Sequence, residues 1–228
     1  MTSRGEVARI DFRIPIGDET LTGELSVPES AQGVVLFTQG SDASRLSPRN
    51  RYIAGMLAKR GLATVLIDLL TPKEQVVDRE TVRYRFDIPL LADRVIRVIE
   101  WLRERPEAAA LPVGLFGTGT GGSAALLVAA ERASFVAAVV SRAGRPDLVG
   151  PPLTDVTAPT LLLVGGRDII VARINREALV WMRGVVSLSV IPEATHLFSE
   201  PGALEEVASR TADWFVRHLR SAHARAAG

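Results

Sequence analysis

The chain has 228 residues, 47% of them hydrophobic, which suits a soluble globular protein with one sizeable core. Its net charge of +1 gives no argument for a nucleic-acid or acidic-membrane partner, and none is expected. The absence of cysteine excludes disulfides, thiolate nucleophiles and cysteine metal sites.

The start, MTSRGEVARID, lacks the apolar centre of a signal peptide, and no apolar run reaches membrane-spanning length, so the expected location is cytoplasmic with no membrane partner. Val7–Ile16 and Thr20–Val27 alternate apolar and polar around Gly17-Asp18, a pattern that predicts a β-hairpin with one buried face. Val34–Thr38 and Ala63–Ile67 are continuous apolar runs, as expected of strands buried on both faces. Between them the polar loop Gln39–Pro48 leads to a helix over Arg49–Arg60, with Gly61 as its C-cap. Leu69–Arg85 is polar, charged and without a clear period. Ile88–Arg105 carries Leu91, Val95, Val98, Ile99 and Leu102 at helical spacing.

The centre of the chain is Val113–Ala125, VGLFGTGTGGSAA: a strand, a glycine turn and a helix start. Backbone N–H groups and the positive end of the helix converge there, a setting that suits developing negative charge. Two patterns fit the glycines. One is the nucleophile elbow G-x-S-x-G, with Gly119 in the serine slot of the frame Gly117, Gly119, Gly121. The other is G-x-G-x-x-G, matched by Gly117, Gly119 and Gly122, which would bind a nucleotide pyrophosphate. Beyond lie expected strands at Phe135–Val140, Thr160–Val164 and Ser187–Ile191, and helices at Ala172–Arg183 and Gly202–Leu219. Strands alternating with helices imply a mostly parallel sheet covered on both faces.

In such a sheet the working residues sit at the carboxyl ends of the strands. The loops there offer Gln39-Gly40-Ser41-Asp42, Ser141-Arg142, Gly165-Gly166-Arg167-Asp168 and Ala194-Thr195-His196. A glycine elbow, then a strand-end Asp, then a loop His is the chain order of the α/β-hydrolases. SPRN at Ser47–Asn50, IDLLTP at Ile67–Pro72, SRAGRPDL at Ser141–Leu148, LLLVGGRD at Leu161–Asp168 and ATHLF at Ala194–Phe198 add to this, with EPGALEEVA at Glu200–Ala208. On these segments the sequence resembles the dienelactone hydrolase-like branch of the α/β-hydrolase superfamily, from the first hairpin to Leu219.

The resemblance implies an α/β-hydrolase fold: an eight-stranded, mostly parallel sheet, helices on both faces and little or no lid. It implies one domain over residues 1–219, followed by a frayed tail over 220–228. Asp168 matches the triad acid and His196 the triad base. The N–H of Thr120 and one from Gly40–Asp42 match the oxyanion hole. The nucleophile position falls on Gly119. The oxyanion loop, H-G-S-G in relatives, reads Gln39-Gly40-Ser41-Asp42 here, and a carboxylate at Asp42 would repel an oxyanion.

The expected function is therefore an enzyme without a covalent step. His196, oriented by Asp168, acts as general base on water or a substrate proton. Thr120 and the Gly40–Asp42 loop polarise a carbonyl, and Asp42 or Gln39 positions the reacting group or donates a proton. Hydrolysis, elimination and cyclisation of an ester, lactone or other carbonyl substrate are all compatible. Arg45 and Arg142 are candidates for a bidentate grip on a substrate carboxylate, with structural ion pairs as the alternative. Ser123 points along its helix and Thr120 lends its N–H, so neither is expected to replace the nucleophile. Trp181 and Trp214 are expected in the core, and His218 and His223 as structural or solvent-facing.

No metal-ligand spacing occurs and no cofactor is expected; the partner is a small-molecule substrate or ligand. Three alternatives remain: a catalytically silent ligand-binding relative, an ordinary esterase or lactonase captured as a serine-to-glycine variant, and nucleotide binding through Gly117, Gly119 and Gly122.

Overall fold

The structure, a computed structural model, describes residues 7–40 and 45–226. Ten residues on each side of a tight turn at Gly17 form the hairpin β1 (Val7–Ile16) and β2 (Glu19–Pro28). The chain then alternates: β3 (Val34–Gln39), α1 (Pro48–Lys59), β4 (Ala63–Ile67), α2 (Pro72–Thr81), α3 (Ile88–Arg103), β5 (Val113–Thr118) and α4 (Thr120–Glu131). It ends with β6 (Ala138–Arg142), β7 (Thr160–Gly165), α5 (Ile169–Ala178), β8 (Val186–Ile191) and α6 (Ala203–Ala226). One sheet takes all eight strands in the order β1-β2-β4-β3-β5-β6-β7-β8. β3 to β8 are mutually parallel, and β2 joins β4 antiparallel, so the hairpin is an edge addition to a parallel core.

Neighbouring residues in each strand point to opposite faces, so the apolar runs feed two separate cores. Leu36, Val65, Leu115, Val139 and Leu162 pack with Val95, Ile99, Leu102 and Leu126 of α3 and α4. Val35, Phe37, Phe116, Val140 and Leu163 pack on the other face with Ile53 and Leu57 of α1 and Phe215 and Leu219 of α6. Each such fully buried side chain contributes about 1.5–3 kcal/mol. Thus β5 lies mid-sheet, and its carboxyl end opens between the two layers of helices. Among the described residues no helix is long and apolar enough to cross a membrane.

Several boundaries differ from the sequence reading. The unassigned stretch 69–85 holds α2, a helix sustained by caps and ion pairs rather than an apolar stripe. Thr71 and Glu74 form a reciprocal capping box, Arg94 grips Glu74 at 2.6 and 2.5 Å, and buried Asp78 takes the Arg85 guanidinium at 2.6 Å. The strand expected from Phe135 begins only at Ala138. Phe135 closes a 3-10 turn, where the Arg103 guanidinium stacks 3.7 Å from its ring. Helix α5 starts at Ile169 and ends at Ala178, before the expected Arg183. Trp181 consequently lies beyond the helix and is 62% exposed, not in the core. Trp214 is half-buried against the α1–α6 core and stacks on His218 at 4.4 Å. α6 runs past Leu219 to Ala226, so the segment expected to fray is helical as far as it is described.

Candidate active site

β5, β6, β7 and β8 are consecutive in the sheet, and each delivers one residue of the candidate site at its carboxyl end. After β5 the chain turns sharply at Gly119, with φ +56° and ψ −123°, and enters α4 at Thr120. That backbone region strains any residue with a side chain. A Cβ built on Gly119 meets nothing within 4 Å among the described residues. The flanking glycines answer to a different constraint. A Cβ on Gly117 would lie 2.4 Å from Gly122 Cα, and one on Gly121 would lie 2.2 Å from the Thr38 carbonyl oxygen. These two glycines let α4 sit directly on β3 and β5. Gly122, which with Gly117 and Gly119 makes up the pattern behind the nucleotide-binding alternative, is likewise set by packing: a Cβ there would lie 2.5 Å from Ser141 Oγ.

Thr120 is the first residue of α4, so its N–H has no acceptor within the helix and faces the turn. Gly40, after β3, lies close to it: a Cβ there would come within 3.0 Å of Thr120 Oγ1. The two backbone segments matched to a carbonyl-polarising pair are therefore adjacent. Ser41 and Asp42 lie outside the described residues. Gln39 is paired in register with Thr118, and its Oε1 accepts a 2.6 Å bond from Asn50 Nδ2, which ties its amide to α1. Ser123 is fully buried and donates from Oγ to the Arg145 carbonyl at 2.7 Å, so its hydroxyl is committed elsewhere.

The Asp168–His196 pair forms as the residue order suggested. Asp168 is the N-cap of α5: Oδ1 accepts from the Val171 N–H at 3.3 Å, and Oδ2 lies 2.6 Å from His196 Nδ1. One carboxylate oxygen fixes the helix start while the other orients the imidazole. With Nδ1 facing the carboxylate, Nε2 is the nitrogen left for a reacting group. The Asp168 side chain is 14% exposed and that of His196 53%, so the imidazole is open to a ligand while its partner is sheltered. The loops carrying the pair are joined by the Arg167 N–H, which donates to the Ala194 carbonyl at 3.0 Å. Ala143, Glu193 and Phe198 all adopt positive φ in the loops beyond β6 and β8, so strain is concentrated at this edge of the sheet.

The two arginines expected to grip substrate part company. Arg45 is a latch: its N–H and Nε donate to Asp68 at 3.1 and 3.4 Å, joining the loop after β3 to the end of β4. Arg142 is different. Its carbonyl accepts from the Gly119 N–H at 3.2 Å, which places it against the turn. It is 5% exposed, and its Nε and Nη1 are buried without a hydrogen-bond partner. Burial, with the charge of nearby Arg49, pushes its pKa down to about 10. Arg49, quoted above only as part of SPRN, was not singled out as a site residue. Its signal was the arginine at the helix start, readable only once β6 is placed beside it. Among the described residues no group of acids and histidines could hold a metal.

Three comparisons agree with this architecture. The model of the dienelactone hydrolase family matches residues 23–221. The crystal structure of a dienelactone hydrolase from Anabaena variabilis is 49% identical, with a TM-score of 0.90, covering 94% of this chain and 99% of that one. Est1E from Butyrivibrio proteoclasticus, at 13% identity and TM-score 0.75, shares the fold over 91% of this chain and 98% of its own. A Mycobacterium tuberculosis protein named "Putative phosphoribosyl transferase" is 51% identical over 209 residues, 92% of this chain. This chain spans about half, 46%, of that relative's length.

Proposed function

The chain belongs to the dienelactone hydrolase family, and from that premise we propose that it acts on a carbonyl, ester or lactone substrate by acid–base chemistry without a covalent intermediate. The observation that carries this reading is the 2.6 Å contact between His196 Nδ1 and Asp168 Oδ2 beside a strained turn whose apex is glycine. A dyad with no nucleophile to activate leaves water as the natural recipient of its basicity. Gly119 stands where a serine nucleophile would project, and a Cβ there meets none of the described residues within 4 Å.

In the hydrolytic form, His196 Nε2 takes a proton from water as the water oxygen bonds to the substrate carbonyl carbon. The N–H of Thr120 and one from the loop at Gly40 hold the resulting oxyanion. Collapse then breaks the bond to the leaving oxygen, which takes the proton back from Nε2. Asp168 holds the ring in the tautomer that keeps Nε2 basic and stabilises the imidazolium. On the family resemblance, Asp42 or Gln39 positions the reacting group. Phosphoribosyl transfer, in the name of the longer relatives, we place in the half of those proteins that this chain does not match.

A second reading, a ligand-binding relative that keeps the pocket without turnover, is favoured by the same glycine. Turnover of an ester and lactone series by the wild type and by His196→Ala separates the two. Loss of turnover in the variant supports the enzyme; unchanged background rates in both overturn it. Gly119→Ser on p-nitrophenyl esters is the companion assay. New activity there means that the dyad and the carbonyl-binding N–H groups are in working order.

A further inference from the structure

Among the described residues near the turn, Arg142 is a buried charge whose surroundings do not suit it. It sits at the end of β6 on the face shared by Ala138 and Val140, beneath α1 and α6. Its guanidinium is buried, with Nε and Nη1 lacking any acceptor. Among the described residues no carboxylate pairs with it. Its charged neighbour is Arg49, in the first turn of α1, which also has no ion-pair partner among the described residues. The only compensation is the Phe198 ring, whose centroid is 5.8 Å from Cζ, near the outer reach of a cation–π contact. A contact that distant does not offset the desolvation of a buried guanidinium, and a second arginine makes the deficit worse. Removing the charge by deprotonation is not available either, since even the pKa of about 10 leaves it cationic at neutral pH.

We propose that Arg142 and Arg49 form a seat for a small oxyanion group, a carboxylate or a phosphate, carried by the ligand of the candidate active site. The proposal deepens the functional reading above and rests on it only for the word substrate; the seat itself stands on the arginines. Three placements support it. The Arg142 carbonyl bonds to the Gly119 N–H, so the seat adjoins the turn where the reacting carbonyl would lie. Arg49 is the second residue of α1, and the positive end of that helix adds to the field. Arg49 and Phe198, both neighbours of Arg142, line an open groove of about 360 Å³ on the α1–α6 side. Glu200 and Glu205 line the same groove. The Glu200 carboxylate is engaged by Thr195, and that bond together with the Arg167 charge keeps its pKa below the ordinary carboxylate value. The seat thus predicts selection for anionic over neutral substrates, with the charged group held on the α1 side of the reacting carbon.

The test is the melting temperature of the purified chain, titrated with inorganic phosphate and, separately, with acetate, replacing sodium chloride at constant ionic strength. The expected result is a saturable rise of about 2–4 °C with at least one of them. In Arg142→Met that rise should vanish. In Arg49→Gln, a half-exposed position that leaves the core intact, its midpoint should move several-fold higher. A response to phosphate alone or acetate alone supports the seat and identifies the group. A wild type that responds to neither, or an Arg142→Met variant that responds as the wild type does, overturns it. Because melting needs no turnover, a silent His196 assay with a positive titration would discard the catalytic reading and leave the seat standing.

Discussion

At Gly119 the backbone sets the cost of a side chain. A Cβ there would meet no atom of the described residues within 4 Å, but the residue would have to hold φ near +56°. Gly119→Ser is expected to fold with a loss of about 1–3 kcal/mol in urea denaturation. Gly121→Ala, in an ordinary backbone region, should cost more, because its methyl group would lie 2.2 Å from the Thr38 oxygen. The reverse ranking would mean that the turn is not strained as described. Asp168 has two duties that substitutions can separate. Asp168→Asn keeps an oxygen for the Val171 N–H and should melt near the wild type while losing turnover. Asp168→Ala loses the cap as well and should cost about 1 kcal/mol more. His196→Ala, at an exposed position, should stay within about 0.5 kcal/mol of wild-type stability, so any loss of activity there is chemical.

The informative element is α2. Its ten residues include no apolar stripe, and it stands because Thr71 and Glu74 cap its first turn and Arg94 reaches from α3 to Glu74 and to the Leu69 carbonyl. Burial alone would raise the Glu74 pKa, but the Arg94 guanidinium and the Thr71 N–H outweigh it and hold the carboxyl below its usual 4.5. A carboxyl with a lowered folded pKa contributes stability that is complete above its unfolded value and lost as pH falls through the folded one. Glu74→Gln should therefore cost about 1–2 kcal/mol near neutral pH. That gap should close as the pH falls through the lowered folded value, as melting of both proteins across the acid range would show. A gap that persists unchanged at low pH would assign the loss to packing. α5 teaches a related lesson. Its true start at Asp168 was hidden because Ile169 and Ile170, the residues that open it, are exposed and break the apolar period. The residue that caps it is the one that also meets His196.

For the molecule as a whole, the sheet is the organiser and α6 its clasp. Phe215 and Leu219 are fully buried, and Gly114 of β5 and Gly33, just before β3, leave room for them. Phe215→Ala should cost about 3–5 kcal/mol. Ending the chain after Arg220 should change the melting temperature little, since α6 makes its fully buried contacts by Leu219. A large loss on that truncation would show that the last turns are part of the clasp. The parallel core was legible in the sequence because buried strands must be apolar throughout: Val34–Thr38, Ala63–Ile67 and Thr160–Val164 needed no structure to be found. Asp168 and His196 were legible because the loops that end such strands converge at one edge of the sheet. What the chain order could not reveal was which charged side chains meet. Arg45 and Arg142 looked alike in sequence, each an arginine near a strand end. Only packing showed that the first has Asp68 and that the second has no carboxylate beside it among the described residues. Local pattern follows from backbone geometry and burial and can be read along the chain. Partnership between charges depends on distances between strands and helices remote in sequence, and only the tertiary structure decided it.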